Sequence, residues 1–491
     1  MKKSLIFAVS TISIVAFWYV AAKKIAAPLV LPLPADVWRS VLTFAAEKKF
    51  ATAFFATALR CFQAFFLVAV VGFVLGLIFA FSPFFLAIAE PVLSLIRATP
   101  VVSVILLALF WLRSDRIPVL VAFLMALPVM TEAVRNGFSR KNKDGRLLSE
   151  MAETFSLSPF QRLAFLHIPF AFPSVSAGLR GSAGMIWKLV CAGEVLSLPK
   201  YAVGTFLQNA QVVLETADVF ALTAIIVCAS FVFCASVNLV LCLPGKIGRR
   251  FALFYFSHKN ATKELPSQKS VPVSVEKLFV KRDAVLYDDF SVDFAEGSLT
   301  AVLAASGLGK TTLLNAISSR MRQQGLLASY LFQEPRLLPN LTVMENVALP
   351  VCRFLGAKNA CQSARKMLDA LSLAEKLDAF PDELSGGERQ RAAMARAFLF
   401  PAPVLLLDEP FQSQDYAGKM RLIRVFQNIH RERNTTAIVV THDPFEASRL
   451  GTRVLFLDGR PVKIALDLEN AALAADEAEK IIEAVSKVGT F

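Results

Sequence analysis

From Val219 to Leu243 the chain has no charged residue, and a helix of that length rises about 37 Å at 1.5 Å per residue. The hydrocarbon core of a bilayer is about 30 Å thick, so the run is long enough to cross it. Inside hydrocarbon the backbone must satisfy its own N–H and C=O groups, which leaves a helix as the available conformation. Further uncharged runs cover Ser4 to Ala22, Cys61 to Ala89 with a break near Ser82-Pro83, Ala98 to Leu112, and Ile117 to Thr131. Ala171 to Ser197 is also apolar but contains Arg180, Lys188 and Glu194. About six spans are expected, forming an all-α polytopic membrane domain over residues 1–250. A mean hydropathy of +0.54 agrees with membrane class. Lys2-Lys3 ahead of a long apolar run fits an uncleaved first span better than a signal peptide.

Charge fixes the expected orientation. Of the net charge of +13, +12 falls in residues 1–250, and the cluster Arg135, Arg140, Lys141, Lys143 and Arg146 places its loop in the cytoplasm. With six spans both ends lie inside, although Lys23, Lys24, Lys48 and Lys49 then fall outside, against the trend. The basic excess belongs to the apolar half, where it meets anionic lipid, and this argues against nucleic acid as a partner. Seven cysteines, an odd number without a Cys-x-x-Cys pair, read as reduced packing residues. Pairing across the bundle, or a place at the helix end, best accommodates Glu194, because an isolated carboxylate in a span is costly.

The composition changes after residue 250. Residues 251–273 read as a linker, polar and proline-punctuated from Ser257. Short apolar strands then alternate with amphipathic stretches from residue 274 to 491, as in a soluble α/β domain. Ala471 to Val485 has apolar residues at helical spacing and reads as a covering helix.

The chemistry-bearing motifs lie in this second half. Leu299 to Leu303 is strand-like and leads into Ala304, Ala305, Ser306, Gly307, Leu308, Gly309, Lys310, Thr311 and Thr312, ahead of a helical stretch. Small residues there let backbone N–H groups wrap phosphates, Lys310 reaches the β and γ groups, and Thr311 offers its hydroxyl to Mg²⁺. The usual first glycine is Ala304; at positive φ its methyl would cost on the order of 1 kcal/mol and loosen nucleotide binding. Val404 to Pro410 reads as a buried strand ending in Asp408, expected to hold Mg²⁺ through water, and Glu409, expected to polarise the attacking water. Gln333 follows another short strand and could link the metal and that water to the surface. His442 follows the strand Ala437 to Val440 and could contact the γ-phosphate. In LSGGERQR, Ser385, Gly386, Gly387 and Glu388 open a helical run and form an anion site at a helix N-terminus.

Taken in order, the phosphate loop, Gln333, LSGGE, LLLDEP, a weak D-loop at Gln412 to Asp415, and THD resemble an ABC-type ATPase. The second half is thus expected to be an α/β P-loop ABC ATPase domain using ATP and Mg²⁺. The resemblance implies that Phe279 stacks on adenine. It also implies that Ser385 and Gly387 bind the γ-phosphate held by a second ATPase domain, so that one chain needs a partner copy and a homodimer is expected. The D-loop carries Gln414 where an apolar residue is usual.

The cytoplasmic loop acquires meaning beside that ATPase. Glu150-Met151-Ala152, then Ser156, then Leu166 to Pro169 resembles the coupling loop of bacterial ABC importer permeases, about residues 144–169, with Met151 and Ser156 replacing the usual alanine and glycine. Glu150, Ala152, Ser156 and Pro169 carry this match. Leu31 to Trp38 and Met185 to Leu196 resemble the nitrate, sulfonate and taurine import family. The resemblance implies a fused permease and ATPase in the cytoplasmic membrane, with the ATPase domain in the cytoplasm. It also implies ATP-driven import of a small anionic or zwitterionic solute brought by a separate extracytoplasmic solute-binding protein. An exporter half-transporter, or a membrane-anchored regulatory ABC ATPase, fits the coupling-loop spacing less well.

Overall fold

The computed structural model describes residues 2–139, 143–258, 269–281, 285–305, 307–412, 414–450 and 452–469. It divides into two compact units, Met1–Arg140 with Pro169–Lys246, and Lys141–Ile168 with Ile247–Phe491. The first eleven helices in chain order are α1 (Lys2–Ile25), α2 (Pro34–Ala46), α3 (Lys48–Phe81), α4 (Pro83–Ala98), α5 (Val101–Ala108), α6 (Ile117–Phe138), α7 (Lys143–Thr154), α8 (Pro159–Gln161), α9 (Ile168–Ser197), α10 (Val203–Val212) and α11 (Thr216–His258).

In the first unit, each of the six apolar runs contains helix, but they do not make six equal spans. Among the described residues, α3, α6 and Thr216–Cys242 of α11 are long and apolar enough to cross a membrane. The run from Ala98 is broken, because α4 and α5 meet at 99° around Thr99-Pro100. Pro100 has no N–H to continue a helix and disfavours helical geometry at Thr99. As one bent span the pair makes a fourth.

Helices α3 and α6 pack through small residues. A Cβ at Gly72 would lie 2.7 Å from Met130 Cγ, and one at Gly76 would lie 2.6 Å from Val134 Cβ, so only hydrogen fits at this crossing. Glu194, in the last turn of α9, is fully buried and paired. Its carboxylate accepts from Thr57 Oγ1 at 2.9 and 3.0 Å, from an Arg60 guanidinium nitrogen at 2.7 Å and from the Gly204 N–H at 3.1 Å. Three elements are thereby joined around one charge, which suits a structural pairing within the helix bundle.

The linker expected over 251–273 begins later than composition suggests. Helix α11 continues to His258, with Ala252, Tyr255 and Phe256 buried at helical spacing. Aromatic packing on one face outweighs the polar residues that interrupt the run. Residues 259–268 and the covering helix expected at 471–485 lie outside the described residues.

In the second unit, β1 (Val273–Lys281) and β2 (Val285–Phe294) form an antiparallel pair. The remaining elements are β3 (Leu299–Leu303), α12 (Lys310–Gln323), β4 (Ala328–Leu331), α13 (Val343–Ala348), α14 (Cys352–Leu355), α15 (Ala357–Ala370), α16 (Gly386–Leu399), β5 (Val404–Asp408), α17 (Tyr416–Arg433), β6 (Thr436–Thr441), α18 (Pro444–Leu450), β7 (Arg453–Asp458) and β8 (Lys463–Glu469). They build a six-stranded sheet in the order β4-β5-β6-β3-β7-β8, parallel except for β8. Every residue of β3, β5 and β6 is buried, which is why these strands read as nearly continuous apolar runs. Because β3, β4, β5 and β6 run in one direction, the segments that follow them emerge along the same sheet edge, where ligands bind in open α/β sheets.

Candidate functional site

The loop between β3 and α12 turns through Gly307 and Gly309, at φ of 84° and 79°. Glycine reaches these left-handed values without a Cβ clash. At Gly309 space matters too, since a Cβ would lie 2.7 Å from Leu286 Cδ2, and the Tyr287 hydroxyl donates to the Gly309 carbonyl at 3.1 Å. Leu308 is half-buried, its N–H 3.4 Å from the Ala305 carbonyl oxygen. Ser306 lies outside the described residues.

Ala304 corrects an expectation. It is fully buried and absent from the described residues with positive φ, and its N–H donates to the Thr441 carbonyl at 3.4 Å. The methyl therefore meets no left-handed backbone and carries no such cost. Ala304→Gly is expected to leave ATP affinity within twofold, measured with a fluorescent nucleotide on the full chain; a larger gain would restore the methyl as an obstacle.

Lys310 opens α12 and is buried, its Nζ donating to the Ala304 carbonyl at 2.7 Å and lying 3.4 Å from Glu409 Oε1. Burial lowers its pKa, while Glu409 and Asp408 act in the opposite direction. Thr311 Oγ1 donates to Asp408 Oδ2 at 2.7 Å. Burial raises the Asp408 pKa, and the bond from Thr311 opposes the rise. Thr312 is half-buried in the same first turn. Glu409 follows β5 with φ of 47°, a left-handed value that costs about 1–2 kcal/mol for a side-chain-bearing residue and is tolerated where surrounding structure fixes it. Here the Glu409 N–H donates to the Val440 carbonyl at 2.9 Å. Its Oε1 also lies 3.3 Å from His442 Nδ1, so Glu409 stands between the lysine and the histidine. Gln333 is exposed two residues beyond Leu331, whose partner Leu407 immediately precedes Asp408.

Ser385 is the N-cap of α16, and a reciprocal pair closes its first turn. The Glu388 N–H donates to Ser385 Oγ at 3.3 Å, and the Ser385 N–H donates to Glu388 Oε2 at 2.8 Å. These bonds hold the Glu388 carboxyl below its ordinary range. Ser385 and Gly386 are exposed, Gly387 half-buried, and a Cβ at Gly386 would meet nothing within 4 Å. Phe279, on β1, is 61% exposed, an aromatic face open to a flat ligand.

The segment expected to couple the two activities belongs to the second unit and packs on its sheet domain. Helix α7 ends in a turn at Ser156, where φ of 48° explains why glycine suits this position. Met151 and Ala152 are buried. Glu150 meets Arg336 at 3.1 Å, Glu153 meets Arg322 at 3.2 Å, and an Arg353 guanidinium nitrogen donates to the Ser156 carbonyl at 3.0 Å. Pro169 lies near the start of α9.

Several residues here carry no sequence motif. Phe155 is fully buried, edge-on to Phe400 at 5.1 Å, with the Arg396 guanidinium 5.0 Å from its ring centroid. Arg396, in α16, donates to the Arg336 and Pro335 carbonyls at 2.8 Å each, and burial beside Arg336 pushes its pKa down to about 9. Gln161 donates to the Leu349 carbonyl at 3.2 Å and to the Tyr255 hydroxyl at 3.1 Å. No spacing rule pairs residues about 190 positions apart. An unusually aromatic loop beside a cationic helix was the available signal.

A parallel sheet with a glycine-turned phosphate loop, an acidic strand end and a histidine at one edge defines a P-loop ATPase, here joined to a helical membrane domain. Residues 287–412 match the family described as ABC transporter, and residues 72–242 match the binding-protein-dependent transport system inner membrane component. The chain is 35% identical over 207 residues to an aliphatic sulfonates import ATP-binding protein of Mesorhizobium japonicum, covering 40% of this chain and 77% of that protein. It is 40% identical over 188 residues to one of Delftia acidovorans, covering 37% and 76%, and 33% identical over 201 residues to the thiamine import ATP-binding protein of Vibrio cholerae, covering 37% and 84%. The chain belongs to the ABC transporter family, with an importer-type permease and its ATPase in one polypeptide. Its ATP hydrolysis is coupled to transport.

Proposed function

We propose that the chain is a cytoplasmic-membrane importer, its ATPase domain in the cytoplasm, for a small anionic or zwitterionic solute. It works as a homodimer and receives the solute from a separate extracytoplasmic binding protein. The observation that carries the reading is the seating of Glu150 on Arg336, three residues beyond Gln333, and of Phe155 under Arg396, which itself donates to the Pro335 and Arg336 carbonyls, since a coupling segment so placed is moved by whatever moves that loop. The named relatives are described as importing aliphatic sulfonates and thiamine, and a sulfonate fits the proposed solute class.

The site residues divide the work. Glycine-turned backbone N–H groups and the N-terminus of α12 hold the phosphates, with Lys310 adding a point charge. Oxygen donors at 2.7 Å separation on Thr311 and Asp408 fit Mg²⁺, with Gln333 as a further ligand, and the ion would neutralise charge on the β and γ groups. Glu409 orients water and accepts its proton, and His442 meets the γ-phosphate. Ser385, Gly386, Gly387 and Glu388 complete the site of the second copy. Nucleotide drives the change only by binding the closed pair more tightly; reversing a 1:99 equilibrium takes about 5.5 kcal/mol.

Dimer dependence tests the reading. Hydrolysis per chain in detergent should fall on dilution below the dimer's dissociation constant, with mass measured in parallel. Full hydrolysis by a strict monomer would sink it.

A further inference from the structure

The D-loop of this chain holds its own signature turn. Where the family resemblance has an apolar residue, Gln414 presents an amide that faces α16 in both directions. Its Oε1 accepts from an Arg391 guanidinium nitrogen at 3.0 Å, and its Nε2 donates to the Gly387 carbonyl at 3.3 Å. Gly387 and Arg391 are one helical turn apart, so a single side chain spans the turn that presents Ser385 and Gly387. The Ser385–Glu388 pair engages N–H groups, whereas Gln414 engages a carbonyl and a guanidinium, so the two devices brace different atoms.

The link continues on the other side. Gln414 precedes Asp415, the residue that opens α17, and Lys419 of that helix meets Asp443 at 2.8 Å and Glu446 at 2.6 Å, just after His442. An apolar residue at 414 could pack against α16 but could neither donate nor accept there.

We infer that Gln414 is a positioning residue that fastens the D-loop to the first turn of the signature helix in the same chain, fixing the presentation of Ser385 and Gly387. The inference rests on the reading of that turn as half of a nucleotide site. It predicts an effect on turnover, because the phosphate loop that binds ATP in this chain is not touched.

The test uses the full chain in lipid nanodiscs, with ATP as the varied substrate. Gln414→Leu removes both bonds, and kcat is expected to fall about tenfold while KM for ATP stays within twofold. Gln414→Glu keeps length and the acceptor toward Arg391 but sets a carboxylate oxygen against the Gly387 carbonyl; a comparable fall is expected. A kcat for Gln414→Leu within twofold of the unaltered chain overturns the inference, as does a rise in KM beyond twofold. Full activity of Gln414→Glu also overturns it, by making the Arg391 contact sufficient. A loss matched by a lowered melting temperature marks ordinary structural damage and overturns it too. Gly387→Asp, measured beside these, keeps the two ideas apart: its retained hydrolysis would defeat the reading of the signature turn itself.

Discussion

Glu409→Gln should lower the rate of ATP hydrolysis by about 10²–10⁴-fold, the usual contribution of a positioned general base. The amide keeps the size and the left-handed backbone of Glu409, so the fold around β5 is retained. What disappears is a proton acceptor placed 3.3 Å from His442 and 3.4 Å from Lys310. Nucleotide contacts through the phosphate loop are untouched, and the variant should therefore bind ATP and hold it. Single-turnover hydrolysis beside equilibrium nucleotide binding checks both halves. Hydrolysis at the unaltered rate would remove Glu409 from the role of base, and loss of binding would show that it serves the phosphates instead.

Phe155→Ala carries the second large effect. Truncating a fully buried phenylalanine commonly costs about 3–5 kcal/mol, and here the edge-on contact to Phe400 and the Arg396 guanidinium over the ring disappear with it. The loss falls on a junction, so basal hydrolysis should survive better than its response to solute-loaded binding protein. Phe155→Trp, which keeps an aromatic face for Arg396, should recover much of that response. Melting temperature of the full chain, with basal and stimulated hydrolysis, separates these outcomes. A Phe155→Ala chain that is stimulated normally would show that this side chain transmits nothing.

Both predictions depend on residues of different legibility. Lys310, Thr311, Asp408, Glu409 and His442 could be found because phosphate chemistry demands fixed residue types at strand ends, and the parallel sheet brings those ends to one edge. The buried strands were visible for a related reason, since burial on both faces leaves a nearly continuous apolar run. Phe155, Gln161, Tyr287, Arg336 and Arg396 were not visible, because each takes its meaning from a surface assembled by distant parts of the chain. Two boundaries misled for local reasons. Pro100 sits inside an apolar run whose composition suggests one straight span, and the aromatic face of α11 outlasts the polar composition after residue 250. Ala304 misled in the opposite sense, since a departure from motif mattered only if the backbone there were left-handed.

Two separate proteins meeting through the contact around Phe155 and Glu150 would depend on their concentrations in the cell. Here both sides of it belong to one polypeptide. Joining both sides in one chain replaces that dependence with a fixed effective concentration, on the order of millimolar where a linker is short and flexible. A junction with an intrinsic dissociation constant of tens of micromolar would then be almost always occupied, yet could still release and reseat within each cycle. Weakness at this contact is thus compatible with reliable assembly, and no chain can lack its ATPase.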